Sequence, residues 1–486
     1  MCRITWLALA LAATSLPIAS AAETTDQKPL QNPLLAGAAT ANITPWLGDG
    51  LVGNFGTPPP AKYVHDELHV RCFVLDDGET RIALVVVDNI GINREVLDEA
   101  KRQVTEATGL PADRMLMSCT HTHSSVSTRG KNSDQPEQEF TEYQQFVAHR
   151  IADGVQNAIY NLQPARVAWG TVDLPGQVFC RRWLLQPGSA VYNPFGELEQ
   201  VKMNPGRRPD LLEPASPLDS QIAFLAIETL DGRPLGLLAN YSLHYVGGVG
   251  PNDISADYFA VFCDRIQELL TADRLDPPFV AAMSNGTSGN INNNDYSKPY
   301  VRHKPYEKIR LVADQCAQAV RGEYGKLVWH DRVPLDMRQQ ELELGARKPT
   351  AAQLEHAKKV LADPDPDRQD EFPHERNYAQ RAVRMQESPD KVSIILQAVR
   401  IGELGISAIP FEVFTETGLE LKASNPFQPS FTMELANGSN GYLPTPEQHR
   451  LGGYETWLGT NRVEVQATVK IVDVLQKMFA ELAETP

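Results

Sequence analysis

Apolar residues recur along this chain with two periods, and the two alternate. Apolar or every-second-residue apolar runs at 35–45, 69–75 and 81–88 predict strands, the first closed by Pro45 and the last two joined by the turn Asp76-Asp77-Gly78. The stretch Ile82-Ala83-Leu84-Val85-Val86-Val87 is apolar on both faces, as suits a strand covered on two sides. Helical spacing takes over at 94–108 and 139–161, with a short apolar strand at 114–119 between them. The pattern returns as strands at 221–227 and 235–243, a helix at 255–270, a strand at 279–283 and a helix at 306–321. A charged stretch at 338–390 reads as a surface insertion of two helical segments around Pro364-Asp365-Pro366-Asp367. Strands at 391–401 and 404–409, a helix from 413, a strand at 429–435 and an amphipathic helix at 462–483 follow. Such alternation predicts an α/β fold, a sheet flanked by helices, in one large domain over residues 35–486.

The N-terminus departs from this pattern. Arg3 precedes the apolar run Trp6-Leu7-Ala8-Leu9-Ala10-Leu11-Ala12-Ala13, which is interrupted at Thr14-Ser15 and Pro17 and ends in Ala19-Ser20-Ala21. This is the form of an export signal at 1–22, followed by a polar leader at 23–34. The run falls short of the ~20 residues that cross a bilayer. The mature chain is therefore expected in the periplasm or outside the cell, with no transmembrane segment. Cys72, Cys119, Cys180, Cys263 and Cys316 form an odd set without CxxC spacing, which does not suggest a disulfide framework. A net charge of -16 without a compensating basic run argues against nucleic acid as a partner.

Unusual polar residues gather where strands end, the edge on which α/β sheets build their sites. The strand at 114–119 runs into Thr120-His121-Thr122-His123-Ser124-Ser125. In extended backbone, residues i and i+2 point the same way, so His121 and His123 can meet on one metal ion or one substrate group; alone, the pair equally suits loop histidines satisfied by hydroxyls. His244 follows the strand at 235–243 and precedes Gly247-Gly248, while Ser255 is placed to cap the next helix. The loop at 284–295, rich in Gly, Ser and Asn, offers N–H groups and amides to an anionic or carbonyl oxygen, although the same residues make ordinary long turns. Glu412 follows Pro410-Phe411 as a carboxylate ligand or a helix-start glutamate, and Tyr442 lies beyond the last strand.

Taken in order, these segments resemble the N-terminal catalytic domain of the neutral, non-lysosomal ceramidases across residues 35–460. The resemblance rests on Ala41-Asn42-Ile43-Thr44-Pro45, Cys119-Thr120-His121-Thr122-His123-Ser124, Asn240-Tyr241-Ser242-Leu243-His244, Ser255-Ala256-Asp257, residues 284–293, Pro410-Phe411-Glu412 and Tyr442-Leu443-Pro444-Thr445-Pro446-Glu447. It implies a mixed sheet flanked by helices and a hydrolase cleaving a linear amide, an N-acyl bond of the acylsphingosine kind. It further implies one zinc ion on His121, His244, Glu412 and Tyr442, with His123 facing the substrate oxygen. An arginine of the family also meets that oxygen, and its counterpart is sought in Arg181-Arg182, with Arg182 taken as the contact. The family's substrate-contacting serine corresponds to Asn292, because Gly289-Asn290-Ile291-Asn292-Asn293-Asn294 replaces Gly-Asp-Val-Ser-Pro-Asn. Ceramidases also continue into a C-terminal β-sandwich, whereas this chain stops soon after Tyr442. The amide-rich loop keeps two rival readings open: a zinc hydrolase of a polar ester or glycan, and an exported binding protein that has lost catalysis.

Overall fold

The computed structural model describes Met1 and residues 32–53, 56–128, 139–365 and 368–484. The export signal expected at 1–22 and the leader at 23–34 lie outside the described residues, apart from Met1 and residues 32–34.

The chain passes three times through one order of elements: three strands, a helix, a strand and a helix. The first pass comprises β1 (Leu35–Asn42), β2 (His69–Asp76), β3 (Arg81–Val87), α1 (Arg94–Thr108), β4 (Met115–Cys119) and α2 (Glu142–Tyr160). The second comprises β5 (Gln163–Asp173), β6 (Gln221–Thr229), β7 (Pro234–Tyr241), α3 (Asp257–Leu269), β8 (Val280–Asn285) and α4 (Glu307–Tyr324). The third has β9 (Leu335–Gly345), β10 (Lys391–Ile401), β11 (Leu404–Ile409), α7 (Thr415–Ser424), β12 (Ser430–Glu434) and α9 (Ala467–Glu484). Helices α5 (Ala351–Ala362) and α6 (Glu375–Glu387) are inserted between β9 and β10, and the short α8 (Pro446–Leu451) lies between β12 and α9.

Pairing is the same in every pass. The first three strands run antiparallel and the fourth lies parallel to the third, the last residues facing each other as Val87 and Cys119, Tyr241 and Asn285, and Ile409 and Glu434. A parallel neighbour needs a crossover, which α1, α3 and α7 provide. The first two passes join through β1 and β5 into an eight-stranded mixed sheet, and the third forms a separate four-stranded sheet.

Alternating side chains explain why these strands read as apolar on both faces. The inner faces of all three passes share one core that includes Phe73, Leu84, Leu225, Leu238, Val399 and Phe431. Outer faces are covered separately: Val85 and Cys72 by α1 and α2, Phe224 and Met283 by α3 and α4, Leu396 and Ile394 by α9. At roughly 25 cal/mol per Å² of apolar surface removed from water, this double burial is the main force holding the layers together.

Two strands depart from the expectation. The charged insertion anticipated at 338–390 begins only after Gly345, because Arg338, Glu341 and Glu343 belong to β9. This is an edge strand, and its outward face accepts charge without disturbing the pairing to β10. Strand β5 was not anticipated at all; its half-exposed alternation is diluted by Pro164, Arg166 and Gly170. The five cysteines from Cys72 to Cys316 are buried and joined in no disulfide among the described residues, and no helix among those residues is long and apolar enough to cross a membrane.

A candidate metal centre where the three passes meet

The third residue beyond each third strand marks a common point: Ile90, His244 and Glu412. The loop after β4 adds His121 and His123. His121 has a φ of 69°, a left-handed conformation unusual for a residue with a Cβ. Its backbone N–H donates to Asn89 O (2.9 Å) and its Nδ1 to Ile90 O (2.5 Å), which turns the ring toward the strand ends. His123 is held by Gly53 O at 2.9 Å from Nδ1 and stacks on Tyr245 with ring centroids 3.7 Å apart. Gly53 must be glycine here: its φ is 130°, and a Cβ would lie 2.8 Å from the His123 side chain. His244 Nδ1 lies 3.2 Å from Ser288 O and 3.1 Å from Ser288 Oγ.

These contacts determine what the rings present inward. A carbonyl oxygen only accepts, so Nδ1 carries the hydrogen in His121 and His123, and the Ser288 carbonyl asks the same of His244. All three Nε2 lone pairs then face one place, His121 and His123 with 3.1 Å between them. The carboxylate of Glu412 joins them, Oε2 lying 3.3 Å from His121 Nε2 and 3.9 Å from His244 Nε2. The three imidazoles offer nitrogens within 4.8 Å of one another. Four electron-pair donors converging in a buried place repel unless a cation lies among them. Donors around a tetrahedral zinc are separated by ~3.4 Å when each bond is ~2.1 Å. The donor set thus fits a zinc-type ion, and burial, with Arg181 next in weight, keeps His244 well below its ordinary pKa and so neutral.

Tyr442 pairs with Glu412 along a short parallel bridge and is buried beside it. Burial pushes its phenol well above the ordinary range, while Arg181 works in the opposite direction. The Arg181 guanidinium carbon lies 5.2 Å from the centre of the Tyr442 ring, and Nη1 is 3.5 Å from His244 Nε2. Burial works against its charge, yet Tyr442, Glu455 and Glu412 hold it well above the ordinary arginine range.

The two adjacent arginines are placed differently. Arg181 reaches the histidines, whereas Arg182 is fully buried and spent on Glu455 Oε2 (2.6 Å), Gln448 Oε1 (3.1 Å) and Gly452 O (2.6 Å). Glu455 bridges the two, its Oε1 lying 2.8 Å from Arg181 Nε. Asn292 is half-buried and sends its amide to Asn204 Oδ1 (2.8 Å) and Tyr296 Oη (3.0 Å). Its neighbour Asn290 is structural, accepting from the backbone N–H of Thr415 and donating to Glu416. Ser255 does accept from the N–H of Asp257 at 3.0 Å, and the Asp257 carboxylate in turn receives the N–H groups of Val246 and Gly247 in the loop after His244.

His121, His123, His244, Glu412 and Tyr442 are therefore brought together. Gly53, Tyr245, Ser288, Glu434 and Glu455 complete their surroundings and were not singled out from sequence. Only Ser288 carried a signal, lying two residues before Asn290 in the amide-rich loop. Behind it, burial pushes Glu434 well above the ordinary carboxyl range, and the hydrogen bonds from Ser288 pull it back.

No family model matches this chain. Among solved structures, it superposes on a neutral ceramidase from Pseudomonas aeruginosa with a TM-score of 0.68 at 18% identity, covering 93% of this chain and 75% of that one. A ceramidase complexed with C2 gives a TM-score of 0.67 at 17% identity, with 93% and 76% covered. The mixed sheet and its helical layers are thus those of the neutral-ceramidase fold.

Proposed function

We propose that the protein is an exported zinc-dependent hydrolase that cleaves a linear amide, an N-acyl bond in a small-molecule or lipid-like substrate. The convergence of three imidazole Nε2 atoms and the Glu412 carboxylate on one buried point carries this reading. The shared fold with proteins described as ceramidases supports it. On this reading His121, His244, Glu412 and Tyr442 hold one zinc ion. Zinc supplies Lewis acidity toward a carbonyl oxygen and brings the pKa of water near neutrality. His123, fixed by Gly53 and Tyr245, faces the substrate oxygen with Nε2 and donates to it when the ring takes up a second proton there. Arg181 offers Nη1 from the opposite side, where a preorganised cation in a dry site stabilises developing negative charge. Glu455 holds that guanidinium in place.

The cluster of Asn204, Asn292 and Tyr296 favours a second reading, in which the leaving or acyl portion is polar, as in an ester or glycan. The test measures metal content by mass spectrometry in wild type and His121→Ala, then compares hydrolysis of an N-acylsphingosine with that of acetylated and glycosidic substrates. One zinc per wild-type chain, absent in the variant, with amide turnover is the expected result. Turnover of the polar substrates alone moves the assignment to the second reading. A metal-free wild type that turns over nothing overturns both and leaves an exported binding protein.

A further inference from the structure

One buried carboxylate stands behind the centre and supports two of its members at once. Glu434, the last residue of β12, is fully buried. Its Oε1 lies 2.7 Å from Ser288 Oγ, and its Oε2 receives the N–H of Val413 at 2.7 Å and that of Ser288 at 3.2 Å. Ser288 is the residue that takes up Nδ1 of His244, and Val413 directly follows Glu412. The two oxygens of one side chain thus lead, each through a single residue, to an imidazole and a carboxylate supplied by different passes of the chain.

The hydrogen inventory gives this link a consequence. Two backbone N–H groups on Oε2 and a hydroxyl on Oε1 suit Glu434 as a carboxylate; with its hydroxyl hydrogen on that carboxylate, Ser288 Oγ can only accept from Nδ1 of His244, which leaves Nε2 of His244 as a bare lone pair facing the other donors. We propose that Glu434 is a positioning residue that, alongside the Ser288 carbonyl, holds the tautomer of His244 through the Ser288 hydroxyl and sets the approach of Glu412 through Val413. This rests on the metal-centre reading above. The equivalent positions in the other passes, Cys119 and Asn285, do not serve such a link: Cys119 lies in the core of the first pass, and the Asn285 amide meets no protein partner.

Glu434→Gln tests the inference because it keeps the shape and changes the hydrogens. The amide must turn its oxygen to the two backbone N–H groups, so its –NH₂ donates to Ser288 Oγ. The serine hydroxyl then points at His244 Nδ1, where it competes with the Ser288 carbonyl and shifts the ring toward the tautomer with hydrogen on Nε2. Zinc affinity, measured on folded protein by competition with a chromophoric chelator, is expected to fall about 10–100-fold, as for other partners of metal-bound histidines. The ¹⁵N shifts of His244 in metal-free protein are expected to exchange between the two nitrogens. Ser288→Ala, which removes only Oγ, is expected to weaken zinc in the same direction, and the double variant to lose no more than the weaker-binding single one. Should Glu434→Gln fail to fold, Ser288→Ala alone decides. Unchanged affinity and unchanged ¹⁵N shifts in a folded variant overturn the proposal. If wild type binds no zinc but the shifts exchange, the positioning role stands and the metal reading is what fails.

Discussion

The first and third passes end their parallel strand pairs in the same register and use them in opposite ways. In the first, the residue three beyond β3 is Ile90, which contributes only a carbonyl oxygen, and the side-chain donors His121 and His123 come from the loop after β4. In the third, the equivalent residue is the donor itself, Glu412, while β12 ends in Glu434, which supports other residues from behind. The second pass resembles the third, with His244 in the slot of Glu412 and Ser288 beneath it. The backbone therefore provides convergence of strand ends, and side-chain identity decides which slot carries chemistry. A site made this way is divided among three passes of one chain, two in one sheet and the third in another, and is sensitive to how the sheets sit against each other.

The largest effects should follow removal of a donor from either slot. His121→Ala and Glu412→Ala are expected to abolish stoichiometric zinc and hydrolysis alike, read by metal analysis and turnover. His123→Ala is the sharper case, because the proposed role keeps it off the metal: zinc should remain at one per chain while turnover falls. Loss of zinc in His123→Ala would place it among the ligands, and the first pass would then supply two donors from one loop.

Next come the adjacent arginines, which separate chemistry from scaffold. Arg181→Ala should lower kcat per folded molecule about 10²–10³-fold, as does loss of one group stabilising an oxyanion, and should also lower the melting temperature, because it too leaves the buried Glu455 half compensated. Arg182→Ala leaves Glu455 with half of its compensation in a dry environment and should cost about 3 kcal/mol or more of stability, with turnover per folded molecule largely retained. The reverse pattern would return the substrate-facing role to Arg182.

Much of this was legible in the sequence, and the gaps have physical causes. Strands β3, β4, β7, β11 and β12 are covered on both faces, so their apolar runs stood out, as did the polar residues at their ends. Strands β5 and β9 carry polar residues on open faces and lose that signal. The threefold repetition left no trace because equivalent positions hold different chemistry: Ile90, His244 and Glu412 at one, Cys119, Asn285 and Glu434 at another. Neighbouring residues of an extended segment point to opposite sides, so Arg181 and Arg182 were indistinguishable until the backbone around them was seen. Second-layer groups such as Glu434 and Glu455 act through hydrogen bonds across long sequence separations, which no local spacing encodes.

Two glycines test whether closeness of layers matters for the site or only for the fold. A Cβ on Gly37 would lie 2.1 Å from Ala158 O, where β1 meets α2, and on Gly289 it would lie 2.6 Å from Glu412 O. Gly37→Ala should cost about 3 kcal/mol through overpacking against a helix backbone, lowering the melting temperature without altering zinc affinity. Gly289→Ala should weaken zinc binding by displacing Glu412. Equal effects of the two on zinc would mean that the layers move as one body.

The smallest effect concerns the joint between the second and third passes. Glu199 is buried and accepts from Gly453 N–H at 2.7 Å and Trp457 Nε1–H at 2.6 Å, both in the third pass. Burial pushes its pKa up from 4.5 to about 7. A carboxyl whose folded pKa is raised binds a proton in the folded state that the unfolded chain has already released. Its contribution to stability is full below the ordinary value and disappears as pH rises through about 7. Wild type should therefore lose on the order of 2 kcal/mol between pH 5 and pH 8 through this group. Glu199→Gln keeps an oxygen for both donors and carries no titrating proton, so its melting temperature should fall less over the same interval. The two melting curves should coincide near pH 5 and separate toward pH 8, with the variant the more stable. Parallel curves would show that the joint between passes is held without a proton on Glu199.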